Sequence, residues 1–329
     1  MKQKSVADTL NISTRGSKTA IMFKIELFRN GDEHNGLIKK QFDILEAYAT
    51  NSHLTQRGLA EITNQSVGNV NRLVKELVDA GLVENGKVTA DGLAALEPYR
   101  VKRAVFLAAG VGSRLMPVTL NTPKPLVRVK GKRIIDGLID EVLALGIQEI
   151  YIVRGYLSEQ FDQIQSLYPM VQFLENPIYN ESNNISSAMC ARYLLSNAYV
   201  FEADLIIRSG LIKRYHYTSD FLATYQERCD DWCFKAKDGI ITEEKLGDYN
   251  AWRNCGISYW SEMDGKKLAE HIKSAYEAPG GKELFWEQVP LDVFKSSYQV
   301  AIQECYERDI VEIDTYKELK AADNTYTIR

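Results

Sequence analysis

Two different rhythms of apolar and polar residues divide the chain. From Leu37 the period is helical: "IKKQFDILEAYAT" spaces its apolar residues for one helix face, and "TQRGLAEIT" begins at Thr55, where an N-cap is expected. "VGNVNRLVKELVDAG" sets Val67, Val70, Leu73, Val74, Leu77 and Val78 on one side and stops at Gly81. "LVENGKVT" then reads as two short strands around an Asn-Gly turn. From Val101 the rhythm changes. "RAVFLAAG", "EIYIVRGY", "VQFLEN" and "AYVFEADLII" read as strands, separated by helices in "RIIDGLIDEVLALG", "EQFDQIQSLY" and "NISSAMCARYLLS". That alternation predicts right-handed βαβ units and a parallel sheet covered on both faces, an α/β class. Ligands of such sheets gather at the carboxyl ends of the strands, so the loop after Leu107 and the acid Asp204 fall on one edge.

The first rhythm, helix, helix, tight turn, helix, hairpin and helix, is that of a winged helix-turn-helix over residues 37–100, followed by a second domain over 101–329. Residues 1–36 stay unassigned, because "AIMFKIELF" fits a strand or the start of a helix equally. The 329 residues, 45% hydrophobic, suffice for two domains. The N-terminus lacks a signal-peptide apolar run and no stretch approaches the roughly 20 apolar residues of a membrane span, so a soluble cytoplasmic protein is expected. Cys190, Cys229, Cys233, Cys255 and Cys305 include no CxxC pair and read as reduced thiols rather than a zinc site. Residues 1–100 hold 13 Lys/Arg against 12 Asp/Glu, and the remainder 27 against 32, which is not the basic body of a chain devoted to nucleic acid.

Candidate chemistry concentrates in "FLAAGVGSRLMPVTLNTPKPLV". Gly110 and Gly112, after Ala108 and Ala109, let backbone N–H groups approach an anion. Arg114 offers a planar fork of donors and Lys124, between two prolines, a compact charge. The string matches neither GxxxxGK[ST] nor GxGxxG. "LAAGVGSRLMPVTLNTPKPLV" followed by "KGKRII" resembles the signature of the nucleotidyltransferase superfamily, whose members join a nucleoside triphosphate to a phosphorylated small molecule and release pyrophosphate. The resemblance implies a Rossmann-like nucleotidyltransferase fold with a mixed, mostly parallel sheet, preceded here by a small winged helix domain. It implies that Leu107, Ala108, Ala109, Gly110, Gly112 and Ser113 wrap the nucleotide and that Arg114 and Lys124 are catalytic. It also implies that Asp204 binds Mg²⁺, with Glu202, where the family usually has Asp, in support.

"NPIYNESNNISSAMCA", "GISYWSEMDGKKLAEHI", "ELFWEQVPLDVF" and "DIVEIDTYKELKAAD" together resemble bacterial CTP:phosphocholine cytidylyltransferases over roughly residues 101–323. This likeness implies CTP and a phosphorylated amino alcohol as substrates. Asn180, Asn183, Asn184 and Ser187 are the remaining nucleotide candidates, the asparagines either shaping the pocket or only capping a helix. Ser186 stands where the family often has an aromatic residue. A trimethylammonium group is recognised by aromatic faces and carboxylates. All four tryptophans, Trp232, Trp252, Trp260 and Trp286, fall in the second half, flanked by Asp230, Asp231, Glu287 and Asp292; Trp232 matches an aromatic of the family's choline pocket, and Asp231, Trp260 and Trp286 complete the expected cage. Glu312 and Asp314, two apart on an expected strand and so on one face, are the second pair of metal candidates.

The winged block resembles the bacterial MarR-like group, and the polar face of its third helix, Ser66, Asn69, Asn71, Arg72 and Lys75, is the DNA-binding candidate. Such folds also serve docking and dimerisation, which leaves DNA and a homodimer as open partners. Three rivals to phosphocholine transfer remain. One is the same chemistry on phosphoethanolamine or 2-aminoethylphosphonate, whose primary ammonium needs hydrogen-bond acceptors as well as rings. The others are a sugar-1-phosphate transferase and a DNA-binding regulator that senses a metabolite.

Overall fold

A computed structural model describes residues 36–51 and 54–326; "AIMFKIELF" lies outside them. The chain divides into two compact units at the Pro98–Tyr99 bond.

In the first unit, α1 (Lys39–Thr50), α2 (Gln56–Ile62) and α3 (Val67–Asp79) precede a two-stranded wing, β1 (Val83–Glu84) and β2 (Lys87–Val88), and α4 (Ala90–Leu96). Thr55, Ser66 and Thr89 each cap a helix, accepting from the backbone N–H of Gly58, Asn69 and Gly92. Asn85 and Gly86 both have positive φ, 51° and 72°, the pair of angles a two-residue hairpin turn requires. The apolar stripe of α3 is narrower than its sequence suggests. Val70, Leu73 and Leu77 are buried, whereas Val67 and Val78, at its two ends, lie exposed.

The second unit is built on β3 (Arg103–Ala108), β4 (Arg128–Val129), β5 (Lys132–Arg133), α5 (Ile134–Ala144), β6 (Glu149–Arg154), α6 (Asp162–Gln165), β7 (Val171–Glu175), α7 (Ile185–Ala191) and β8 (Ala198–Glu202). After these come β9 (Leu205–Ile207), β10 (Asp220–Lys237), β11 (Ile240–Trp260), α8 (Glu262–Glu277), β12 (Ala301–Glu304), β13 (Ile310–Glu312) and α9 (Tyr316–Ala322). Seven strands form one sheet in the order β10-β12-β11-β8-β3-β6-β7, with β8, β3, β6 and β7 mutually parallel and β11 antiparallel to β8. β3 lies inside the sheet between β8 and β6, and its alternation serves two cores. Ala104, Phe106 and Ala108 pack with α5 residues Ile135, Leu138, Ile139 and Val142 on one face. Val105 points to the other, among Ile185 and Ala188 of α7 and Leu268 and Ile272 of α8.

The chain runs outward from β3 to β6 and β7, then returns to place β8 on the opposite side of β3. The carboxyl ends of β3 and β8 therefore flank the point where the winding direction reverses, the crevice in which open α/β sheets take ligands. The strand read as "AYVFEADLII" is broken: β8 stops at Glu202, and β9 leaves the main sheet to pair with β13. Asp204 occupies the break, and its carbonyl accepts from Ile313 N–H at 3.1 Å. Because Glu312 is paired in register with Leu205, this small sheet carries the late acids to the end of β8.

Candidate active site

The loop after β3 is shaped by one close approach. Gly112 has φ 64°, and a Cβ there would lie 3.0 Å from Cβ of Lys124, so both backbone and space call for glycine. Thr119 Oγ1 donates to Gly112 O at 2.9 Å and fixes the turn. Leu107, Ala108, Ala109, Gly110, Gly112, Ser113, Arg114, Lys124, Asn183, Asn184 and Ser187, all singled out in the sequence, line one cavity of about 360 Å³, with Asp204, Glu312 and Asp314. Asn180 does not line it; its side chain is exposed beside the cavity. Asn184 begins α7 without a side-chain cap. Its Nδ2 donates instead to Glu287 Oε2 at 3.4 Å, and its Oδ1 accepts from Trp286 N–H at 2.8 Å.

Four carboxylates converge on the floor. Lys124 Nζ donates to Asp204 Oδ2 at 2.5 Å and Asp314 Oδ1 at 2.8 Å, and Arg114 pairs with Asp314. Burial alone would push the Lys124 ammonium down, but the two aspartates outweigh it and leave it above its ordinary value. Burial first, then Asp204, Glu287 and Glu312, push Glu202 well above the usual carboxylate range. Burial with Asp204 and Asp314 brings Glu312 to about 7.

Glu202, Asp204 and Glu312 bring carboxylate oxygens within 4.8 Å of one another. Asp204 Oδ1 is buried with no hydrogen-bond partner among the described residues. An orphaned carboxylate oxygen among mutually repelling acids fits a hard divalent cation. Glu202, expected only in support, belongs to this trio, whereas Asp314 is engaged by Lys124 and Arg114. Room for Glu202 comes from Gly256, which has φ 67° and where a Cβ would meet Glu202 Oε2 at 2.8 Å.

A second cavity, about 380 Å³, shares Arg114, Glu202 and Glu312 with the first and adds Asp231, Trp232, Glu244, Leu246, Phe285 and Glu287. Trp232 sits where the β10–β11 register shifts, and a bulge re-aims a side chain. Its ring meets Phe285 edge to face at 5.3 Å. Trp260 and Trp286, expected in the cage, are core residues. They are 0% and 2% exposed, pack on each other at 5.9 Å and on Phe221, and line neither cavity.

Sequence reasoning missed Glu244, which no quoted motif contains, and gave no role to Phe285 within "ELFWEQVPLDVF"; Glu287, in the same string, was read there as an acid flanking the tryptophans. Burial first, then Glu287 and Asp292, raises Glu244 to about 8, and burial raises Glu287 to about 7. It also missed Asn176, whose buried Nδ2 donates to Ser186 Oγ at 3.0 Å and Ser187 Oγ at 3.1 Å and so orients two hydroxyls of the nucleotide-sized cavity. A polar residue directly after the apolar strand "VQFLE" was the available signal.

In the winged unit, Asn71, Arg72 and Lys75 are exposed on α3, but Arg72 is engaged by Glu76 and by Asn69 Oδ1, and Ser66 is spent as the N-cap.

Residues 103–238 match the family described as Nucleotidyl transferase, and residues 39–84 a winged helix-turn-helix DNA-binding family. The chain is 35% identical over 228 residues to a 2-aminoethylphosphonate cytidylyltransferase of Lancefieldella rimae, covering 68% of this chain and 92% of that one. It is 32% identical over 220 residues to a choline-phosphate cytidylyltransferase of Streptococcus pneumoniae, covering 66% and 95%. The solved structure of a CTP:phosphocholine cytidylyltransferase from Streptococcus pneumoniae superposes with TM-score 0.63 and 30% identity over 69% of this chain and all of that one.

Proposed function

We propose, from the premise that this chain belongs to the nucleotidyl transferase family and is a cytidylyltransferase, that residues 99–329 transfer the cytidylyl group of CTP to a small phosphate or phosphonate ending in an ammonium group. Phosphocholine, the acceptor expected from the sequence, is one member of that class. 2-Aminoethylphosphonate and choline phosphate, named for two relatives, support the class as a whole.

The observation that carries this reading is the join between the cavities. One is walled by small loop residues and hydroxyls, the other by rings and acids, and they meet at Arg114, Glu202 and Glu312. A triphosphate in the first and an ammonium in the second would bring two phosphorus centres together beside Arg114 and Lys124.

An acceptor phosphate, with a second pKa of about 6, is largely dianionic at neutral pH and attacks without a general base. Its oxygen forms a bond to the α-phosphorus of CTP as the bridging bond to the β-phosphate breaks, and pyrophosphate leaves in line. Backbone N–H groups of the Ala109–Ser113 loop hold the triphosphate. Lys124, held between Asp204 and Asp314, presents a fixed positive charge to the α-phosphoryl oxygens. Arg114, largely exposed, is free to follow the departing pyrophosphate once Asp314 releases it. Glu202, Asp204 and Glu312 would hold a divalent cation, which we assign as Mg²⁺ and which supplies charge neutralisation at the phosphates. Trp232, Asp231 and Glu287 hold the ammonium.

The exposed polar face of α3, within a segment that matches a DNA-binding family, favours a second role alongside the first, docking on DNA through Asn71 and Lys75. No helix among the described residues is long and apolar enough to cross a membrane, and we place the reaction in the cytoplasm. The test of the transfer is pyrophosphate release with CTP and Mg²⁺ across phosphorylated amines, phosphonates and sugar phosphates, with Asp204→Asn as control. Release with an amine and none with sugar phosphates is expected; release with sugar phosphates alone would overturn the reading.

A further inference from the structure

An ammonium offers three N–H donors when primary and none when quaternary. A pocket for the quaternary form needs rings on several sides, because methyl groups leave any facing carboxylate oxygen without a hydrogen bond. The second cavity has one aromatic corner, Trp232 against Phe285. Of the remaining tryptophans, Trp260 and Trp286 are committed to the core, and Trp252 packs edge-on against Tyr225 outside the cavity.

Besides Arg114, Leu246, Asn254 and Gly256, the rest of the wall is acidic, and its acids differ. Glu287 already accepts a hydrogen bond from Asn184 Nδ2, and Asp231 Oδ1 accepts from Trp232 N–H at 2.7 Å. Glu244 Oε2 is buried and has no hydrogen-bond partner among the described residues. An acceptor left unpaired inside a cavity that otherwise provides one ring corner is matched by a ligand that brings its own donor.

We propose that Glu244 is a specificity-determining residue that selects an acceptor with N–H groups on its ammonium, a primary amine, over the trimethylammonium of phosphocholine. This rests on the cytidylyl transfer proposed above and narrows its acceptor. Glu244 touches the ammonium end and leaves the transfer chemistry to Lys124 and Arg114.

The experiment is a methylation ladder on the full chain. With CTP and Mg²⁺, kcat/KM for pyrophosphate release is measured with phosphoethanolamine, its N-methyl and N,N-dimethyl derivatives, and phosphocholine. The expected wild-type result is a fall of at least about tenfold from first to last, the last step removing the last donor. In Glu244→Leu the ladder flattens, through a higher KM for phosphoethanolamine with kcat nearly unchanged. Glu244→Gln, which keeps an acceptor without the charge, holds an intermediate slope and secures the test if the leucine variant does not fold. Phosphocholine used as well as or better than phosphoethanolamine by the wild type would overturn this inference and leave cytidylyl transfer standing. A ladder unchanged in both variants would overturn the role of Glu244. Release with none of these and none with 2-aminoethylphosphonate, assayed alongside, would instead overturn the proposed function.

Discussion

Replacing Lys124 by glutamine removes one charge where the balance of charge is tightest. The side chain is 11% exposed and donates to Asp204 and Asp314, with Glu202 and Glu312 close by. Among the described residues the neighbouring cations are Arg114 on Asp314 and Arg253, 3.8 Å from Glu312. Glutamine is one methylene shorter but keeps two donors, so the substitution chiefly deletes charge. Breaking a buried ion pair costs about 3–5 kcal/mol, and the side chains of Asp204 and Asp314, 17% and 15% exposed, set the expectation at the lower end, about 3 kcal/mol at neutral pH without divalent cation.

The pH dependence has a definite sign. Lys124 lowers the pKa of Glu202 and Glu312, so in the variant both rise further above the unfolded value. A raised carboxyl contributes stability at low pH that is lost as pH rises through its folded value, so the penalty should be largest near pH 8 and shrink near pH 5. Urea unfolding at both pH values, with unchanged m, measures it. Mg²⁺ replaces the missing charge and should stabilise the variant more than the wild type. Turnover should drop by about 10²–10³. A variant as stable as the wild type at pH 8 without divalent cation, and indifferent to Mg²⁺, would refute the charge argument.

The two kinds of tryptophan should separate cleanly. Trp260→Ala should cost about 3–5 kcal/mol in unfolding free energy, whereas Trp232→Ala should leave stability nearly intact and raise the KM for the amine acceptor about tenfold; equal effects on both readouts would show the assignment wrong. Because Glu244 is raised to about 8, the ligand-free wild type should lose stability as pH rises from about 4.5 through 8. Glu244→Gln lacks that loss, and at pH 9 urea unfolding should find it the more stable by on the order of 2–4 kcal/mol. If the winged unit docks on DNA, Lys75→Ala should weaken binding to promoter DNA and reduce the slope of log K against log salt by about one, measured by fluorescence anisotropy; an unchanged slope removes Lys75 from the contact.

The main helices and strands from 37 to 202 and the loop with Arg114 and Lys124 were legible because local period and spacing carried them. Thr55 caps a helix through Gly58, and Gly112 meets Lys124 and Thr119 within the same loop, so both act within a short span of chain. The acceptor wall was legible only in part: Asp231 and Trp232 were read from the sequence, and Glu244 was not. Glu244 and Glu287 reach one cavity only because β10 and β11 fold back on each other about the Asp238-Gly239 turn and α8 returns the chain to the sheet. Tryptophans misled for the same reason: an aromatic near acids in sequence is a cage or a core according to which side of a strand it occupies, and Trp260 points into the core that α8 covers. The break at Ala203–Asp204 is invisible in "AYVFEADLII" because β13, the strand that draws β9 away, lies a hundred residues later.

Cytidylyl transfer, as proposed, moves the α-phosphorus of CTP to an amine-bearing phosphate or phosphonate. It is tested most directly by CTP radiolabelled at the α-phosphorus, incubated with Mg²⁺ and phosphoethanolamine or 2-aminoethylphosphonate, with unlabelled UTP, ATP and GTP as competitors. Label should pass from CTP into a cytidylyl–acceptor product, undiminished by the competitors, and should not do so in Asp204→Asn. Label that stays in CTP, although CTP binds, would contradict it.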